Sequence, residues 1–199
     1  PEDGHMNVGT YRMMIHDRNH VGLYMSPGKD ARLQMERWWQ AGKPCEVVAV
    51  WGVDPATFLL SGITMPKTES EWDYIGGLKG EAVKLLNGKF TDLQFSAGSE
   101  IVMEGIVYPQ DYKKEGPFGE FTGYYGRPSD PSPQVEIKAI HFRNNPILTA
   151  ALMSDHWASN DSALQFAVIR SARIWDDLDR LGIPGIRGVY AHPSAAGGF

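Results

Sequence analysis

A chain of 199 residues with 42% hydrophobic and 22% charged side chains has the make-up of a folded globular protein, enough for one domain or a domain and a half. Its net charge of −5 argues against non-specific nucleic-acid binding, which needs a basic face. A single cysteine, Cys45, excludes an internal disulfide and a thiolate metal cluster.

Cys45 precedes the apolar run 47–51 and reads as buried and inert, because nothing nearby would activate a thiol. No stretch approaches the roughly 20 apolar residues of a membrane-spanning helix. No signal peptide is visible, so a cytoplasmic setting is the expectation. Both ends, Pro1-Glu2-Asp3-Gly4 and Ala195-Ala196-Gly197-Gly198-Phe199, read as cuts within something longer.

In chain order, residues 7–17 are rich in β-branched and aromatic types and predict a strand, with 21–25 as its hairpin partner. Ser26-Pro27-Gly28 breaks the chain. A helix is predicted over 30–40, with Leu33, Arg37 and Trp38 at helical spacing and Gly42 just past its end. The near-continuous apolar run 46–51 predicts a buried strand. Asp54-Pro55 is an N-cap followed by Pro at the first helical position, opening a short helix over 56–60. Ser70 is a second N-cap, opening a helix to about Lys79, with Asp73 making a partial capping box.

Strands are predicted at 82–86, 101–107 and 121–125. Pro128, Pro131 and Pro133 predict a loop. Clean alternation over 135–142 predicts a half-buried strand. Asn144-Asn145 makes a turn, and 146–152 is read as the returning hairpin strand. The longest helix is predicted over 161–181, with Leu164, Val168, Ala172, Trp175 and Leu178 as its apolar stripe and Gly182 as its cap. About seven strands, mostly hairpin-linked, make this an α+β chain built on an antiparallel barrel or sheet. No internal repeat or low-complexity segment occurs.

The stretch Glu115-Gly116-Pro117-Phe118-Gly119-Glu120-Phe121-Thr122-Gly123-Tyr124-Tyr125 presents two carboxylates from a stiff, turned segment. On spacing alone it is a surface turn with solvated glutamates. Arg12 stands in an apolar strand, where it either snorkels at the edge or faces a pocket and binds a carboxylate. Asn7, Asp30 and Glu71 are oxygen donors of the kind that suit Mg²⁺ or Mn²⁺, but spacing does not link them. The six histidines show no metal-ligand spacing and read as structural. There is no Gly-rich phosphate loop and no Gly-x-Ser-x-Gly nucleophile elbow.

Residues 115–125 closely resemble the signature of the UbiD family of reversible decarboxylases. So do Asn7-Val8-Gly9-Thr10-Tyr11-Arg12, Met25-Ser26-Pro27-Gly28-Lys29, Gly52-Val53-Asp54-Pro55-Ala56, the Ser70-Glu71-x-x-Tyr74-x-Gly76 run and the Ser99-Glu100-Ile101-Val102-x-Glu104-Gly105 run. The resemblance implies a split antiparallel β-barrel of the flavin-reductase type, with inserted helices and one long helix after the sheet. It implies prenylated FMN, supplied by a partner flavin prenyltransferase and held through Mn²⁺ (or Mg²⁺) and a nearby K⁺. The implied reaction removes CO₂ from an aromatic, heteroaromatic or α,β-unsaturated acid.

By motif position, the resemblance makes Arg12 the carboxylate-binding residue, Glu120 the proton donor and Glu115 the partner that tunes Arg12. The two acids would need different surroundings to divide those roles. It makes Asn7, Thr10, Tyr11, Arg12, Lys29 and Ser61 cofactor contacts. It makes Asn7 and Glu71 metal ligands, with Asp30 standing where the family has a histidine. Residues 1–199 would be the cofactor-binding core, lacking the family's N-terminal and C-terminal domains and exposing apolar surface that favours a homo-oligomer. The competing readings are a truncated, non-catalytic flavin-binding module and a flavin reductase on the same barrel.

Overall fold

The structure, a computed structural model, is described for residues 5–63, 70–119, 125–126, 128–150 and 161–192, without the side chains of 161–166. The chain forms two compact units. The first holds the residues up to Glu115 and Asp130–Thr149. Its elements are β1 (Arg12–Ile15), β2 (His20–Tyr24), α1 (Asp30–Gln40), β3 (Cys45–Trp51), α2 (Pro55–Ser61), α3 (Glu71–Lys79), β4 (Leu85–Asn87), β5 (Gln94–Ser96), β6 (Ile101–Glu115) and β7 (Asp130–Phe142). Five strands form one antiparallel sheet in the order β1-β2-β7-β6-β3, and β4 pairs with β5 in a separate ribbon.

Alternation along β2, β6 and β7 sends Val21, Leu23, Met103, Val107 and Val135 to one core, which also takes Met25, Met35 from α1 and Cys45 from β3. Cys45 is buried, and burial pushes its thiol up to about 11, as an inert cysteine requires. The β6–β7 register shifts between Glu104 and Gly105, where a Cβ on Gly105 would sit 2.3 Å from Val135 Cγ1. It shifts again between Val107 and Tyr112, where Gln110 has φ 65°. Trp39 Nε1 donates to the Val107 carbonyl at 3.1 Å, so a buried backbone acceptor at this irregularity is satisfied from α1.

Asp54 caps α2 as expected, accepting from Thr57 N at 3.1 Å and Thr57 Oγ1 at 2.7 Å. Ser70 precedes α3 without a side-chain cap bond, so its capping box does not form.

Three expectations are corrected. β6 runs eight residues beyond its predicted end, and β7 begins at Asp130, through prolines that predict a loop. Lys114 pairs with Pro131 and Tyr112 with Pro133. On its other side β7 pairs with β2 only as far as Gln134. Residues 131–133 are therefore an edge, where a missing N–H costs no ladder bond. The predicted return strand at 146–152 is absent from its described part, 146–150. There Ile147 N donates instead to Glu100 Oε2 at 3.2 Å. The short strand β5 has no sequence prediction. The predicted strand 121–125 lies outside the described residues except for Tyr125, which bridges to Gly119.

Glu104 is fully buried on β6. Its carboxylate accepts from the backbone N–H of Lys89 (3.0 Å), Phe90 (2.9 Å) and Thr91 (2.9 Å), and from Thr91 Oγ1 (2.9 Å). His141 Nε2 lies 2.7 Å from it. Burial alone would raise its pKa, but these bonds outweigh burial and hold it down at about 2. The bend between β4 and β5 is thereby clasped to the main sheet.

The second unit contains α4 (Asp161–Arg180). Its Ser171 Oγ donates to Ala167 O at 2.6 Å and accepts from Ala191 N at 2.9 Å, tying the following segment back to the helix. Of the predicted stripe, Val168 and Trp175 are exposed rather than covered. Among the described residues, no helix is long and apolar enough to cross a membrane.

Candidate active site

Arg12 opens β1, and Tyr24 stands directly opposite it on β2. Opposed residues share a sheet face, and the guanidinium lies over the Tyr24 ring, 4.6 Å from its centre. Arg12 Nη2 also donates to Glu115 Oε2 at 3.1 Å. Glu115 is the last residue of β6, and its side chain is fully buried. Ser132 Oγ, on β7, donates to the same oxygen at 3.0 Å. Glu115 Oε1 is buried with no hydrogen-bond partner among the described residues.

A carboxylate buried this completely is tenable only beside a fixed cation. The Arg12 side chain is 27% exposed. The sheet order places two strands between β1 and β6. Three inter-strand steps span roughly 14 Å in a flat sheet. Curling of the sheet and the reach of Arg12 close that gap to 3.1 Å.

Arg12 borders a cavity of about 230 Å³ whose walls also include Asn7, Thr10, Tyr11, Lys29, Asp30, Ser61 and Glu71. Every residue assigned above to cofactor or metal is therefore on one wall system. Glu115 does not line it and meets it through Arg12. Thr10 N donates to Ser61 O at 3.0 Å, and the two hydroxyls lie 2.7 Å apart. These bonds stitch the approach to β1 onto the end of α2, bringing residues 7–12 and 61 together.

The metal expectation has a physical test in the side chains themselves. Asn7 Nδ2 donates to the Tyr11 hydroxyl at 3.2 Å. Burial pushes the Tyr11 phenol up, and the nearby Asp30 and Glu71 carboxylates add to the rise. Glu71 is 7% exposed, and its Oε2 is buried without a hydrogen-bond partner among the described residues. A buried, unpartnered carboxylate oxygen in a wall shared with Asp30 and Asn7 is of a donor chemistry that suits a hard divalent cation. Among the described residues no group of three or more His, Cys, Asp or Glu that could hold a metal ion occurs; the set expected from the sequence has two carboxylates, Asp30 and Glu71, and the Asn7 amide.

Glu120, the expected proton donor, lies outside the described residues. The surface-turn reading of Glu115 is corrected, since this glutamate ends a strand in the interior. Three neighbours escaped the sequence reading. Ser132 lay in a proline-rich stretch read as loop. Tyr24 carried only an alternation signal, and reading it required the β1–β2 register. His16 was classed with the structural histidines, yet its ring and the Glu115 carboxylate both approach Gly22.

Comparison with known proteins bears on this geometry. Residues 1–156 match the family model described as UbiD, the 3-octaprenyl-4-hydroxybenzoate carboxy-lyase Rift-related domain. The chain is 31% identical over 160 residues to the phenolic acid decarboxylase of Bacillus subtilis, covering 79% of this chain and 33% of that protein. It superposes with a TM-score of 0.88 on an evolved dimeric form of the UbiD-class enzyme HmfF from Pelotomaculum thermopropionicum in complex with prFMN. That match has 28% identity and covers 98% of this chain and 44% of that one. The apo 3,4-dihydroxybenzoic acid decarboxylase of Klebsiella pneumoniae matches with a TM-score of 0.81 at 26% identity, over 96% of this chain and 40% of that one. The chain spans about a third of the length of the curated relatives it matches. With the family model running across the first unit and the cavity that Arg12 borders, the chain belongs to the UbiD family.

Proposed function

We propose that this chain is the cofactor-binding catalytic core of a prenylated-FMN-dependent reversible decarboxylase acting on an aromatic, heteroaromatic or α,β-unsaturated acid. The observation that carries the reading is Arg12, which meets buried Glu115 and borders an oxygen-lined cavity. Likeness to an enzyme solved with prFMN supports the cofactor, and the curled antiparallel sheet supports a split barrel of the flavin-reductase type.

In this reading Arg12, whose guanidinium is a fork suited to carboxylates, holds the substrate carboxylate. Glu115 and Ser132 fix the guanidinium plane. Tyr24 supports its face. Asn7, Asp30 and Glu71 would hold the Mn²⁺ (or Mg²⁺) that, with K⁺, the cofactor requires, and Thr10, Tyr11, Lys29 and Ser61 would contact the cofactor. When bound, the prenylated flavin supplies the electron sink for the carbon–carboxylate bond. As that bond breaks and CO₂ leaves, Glu120 gives the carbon the proton that replaces it and is reprotonated from solvent. A flavin prenyltransferase supplies the cofactor, and the working form is a cytoplasmic homo-oligomer.

The test is Glu120→Gln in protein co-expressed with a flavin prenyltransferase. Flavin retention is read by absorbance and mass spectrometry, and turnover by CO₂ release from aromatic acids. Retained flavin with lost turnover is expected, and unchanged turnover refutes the assignment. NADH or NADPH oxidation without CO₂ release would identify a reductase instead.

A further inference from the structure

Two of the three oxygen donors assigned to the cation sit in the first turns of helices, which fix their backbones: Asp30 opens α1 and Glu71 opens α3. Asn7 has no such support. Residues 7–11 lie outside any helix or strand, so an amide there depends on its own side-chain contacts. The contact the structure shows is with Tyr11, four residues on, whose hydroxyl accepts from Asn7 Nδ2 at 3.2 Å.

Three features set that hydroxyl in place. The Tyr11 ring packs against the hydrophobic core of the first unit. Gly9 gives the ring room, because a Cβ there would lie 2.5 Å from Tyr11 Cε2 and 2.8 Å from its hydroxyl oxygen. Those separations are well inside ordinary contact between carbon atoms, about 3.5–4.0 Å, so a side chain at position 9 would drive the ring away. The backbone of Ala31, in the first turn of α1, also hydrogen-bonds the phenol. The phenol thus joins the segment carrying Asn7 to the helix carrying Asp30. Burial raises its pKa, so at neutral pH the oxygen is a hydroxyl rather than a phenolate.

An asparagine amide has a donor end and an acceptor end, and only the carbonyl oxygen can serve a cation. An amide free to turn could offer its nitrogen to Asp30 or Glu71 and so compete with a metal for them. With Nδ2 engaged by Tyr11, Oδ1 is the end available to a cation.

We propose that Tyr11 is a positioning residue for the divalent cation: it holds Asn7 by Nδ2, so that Oδ1 is presented to the metal. The role rests on the metal reading of Asn7, Asp30 and Glu71, and it is separate from the cofactor contact assigned to Tyr11 above. It follows the general rule that a ligating side chain is oriented by a partner beyond it.

The experiment is calorimetric titration of Mn²⁺ into the cofactor-free chain and into its Tyr11→Phe, Asn7→Ala and double variants. Tyr11→Phe deletes the hydroxyl and keeps the ring. Its Tm without metal should stay close to that of wild type, while its Kd for Mn²⁺ rises roughly tenfold, the scale of lost outer-shell partners. Once Asn7 is gone the hydroxyl has nothing to orient, so Tyr11→Phe should weaken binding no further in the Asn7→Ala background. An unchanged Kd in Tyr11→Phe overturns the proposal. So does an equal further loss in the double variant, which is the mark of a Tyr11 acting independently of Asn7. If Asn7→Ala does not fold, the Tyr11→Phe titration still decides. Glu71→Gln separates this proposal from the reading beneath it. Weaker Mn²⁺ binding in Glu71→Gln, beside an unchanged Tyr11→Phe, removes the role of Tyr11 alone. Absent wild-type binding, or binding that ignores Glu71→Gln, removes the metal site and this proposal with it.

Discussion

Glu104→Gln isolates the contribution of one buried charge. The wild-type carboxylate receives four donors from residues 89–91, and His141 lies 2.7 Å away. Its folded pKa of about 2 lies below the ordinary 4.5, a gap equivalent to about 3 kcal/mol at 1.36 kcal/mol per unit. Because the folded value is depressed, this stability is fully present above pH 4.5. It is lost as the pH falls through about 2. Near pH 3 less than half of it remains.

Glutamine keeps one acceptor and turns an amide N–H₂ toward another donor. With its oxygen at the Oε2 site, the Lys89 N–H is left unsatisfied, at a further cost of about 1–3 kcal/mol. The variant should therefore lose about 4–6 kcal/mol at pH 7, a fall in Tm of roughly 10–20 °C for a chain of this size. Scanning calorimetry of both proteins at pH 7 and pH 3 reads it. The gap between them should shrink by more than half of its charge-dependent part at pH 3. Equal Tm values at pH 7, or a gap that does not change with pH, would refute the argument.

Arg12→Ala leaves the Glu115 carboxylate buried without its cation and should destabilise the protein by about 3–5 kcal/mol, read by urea denaturation. Arg12→Lys should recover part of that stability but little turnover, because a point charge cannot reproduce the planar fork over Tyr24; near-wild-type kcat/KM would contradict this. Glu71→Gln removes an orphaned anionic oxygen and should weaken Mn²⁺ binding in calorimetric titration by roughly tenfold or more, with the Tm of metal-free protein no lower than wild type. Asp54→Ala removes the α2 cap and should cost about 1 kcal/mol, measurable as a lower denaturant midpoint at unchanged slope.

The parts legible in the sequence are those governed by local rules. Helix α1 falls where apolar spacing and Gly42 place it, and α2 where Asp54-Pro55 starts it. β2 and β3 read directly from alternation and apolar runs. The failures have a common cause, which is that non-local pairing overrides local signals. Pro131 and Pro133 argue for a loop in any local window. They lie in a strand because β6 pairs one edge of it while β2 stops short of the other. The return strand expected at 146–152 has β propensity, yet its described residues, 146–150, pair with no strand, and Ile147 N bonds to the Glu100 side chain instead.

For the site, the sequence by itself determined the inventory: an arginine in a strand, two glutamates flanking a stiff turn, scattered oxygen donors, and motifs whose likeness names a family. It could not say that Arg12 and Glu115, 103 residues apart, share a hydrogen bond. It could not say that Glu115 is buried rather than solvated. Those relations exist only once the curled sheet brings its strands together. Burial and unpaired acceptors belong to a surrounding shell, which no stretch of neighbouring residues contains.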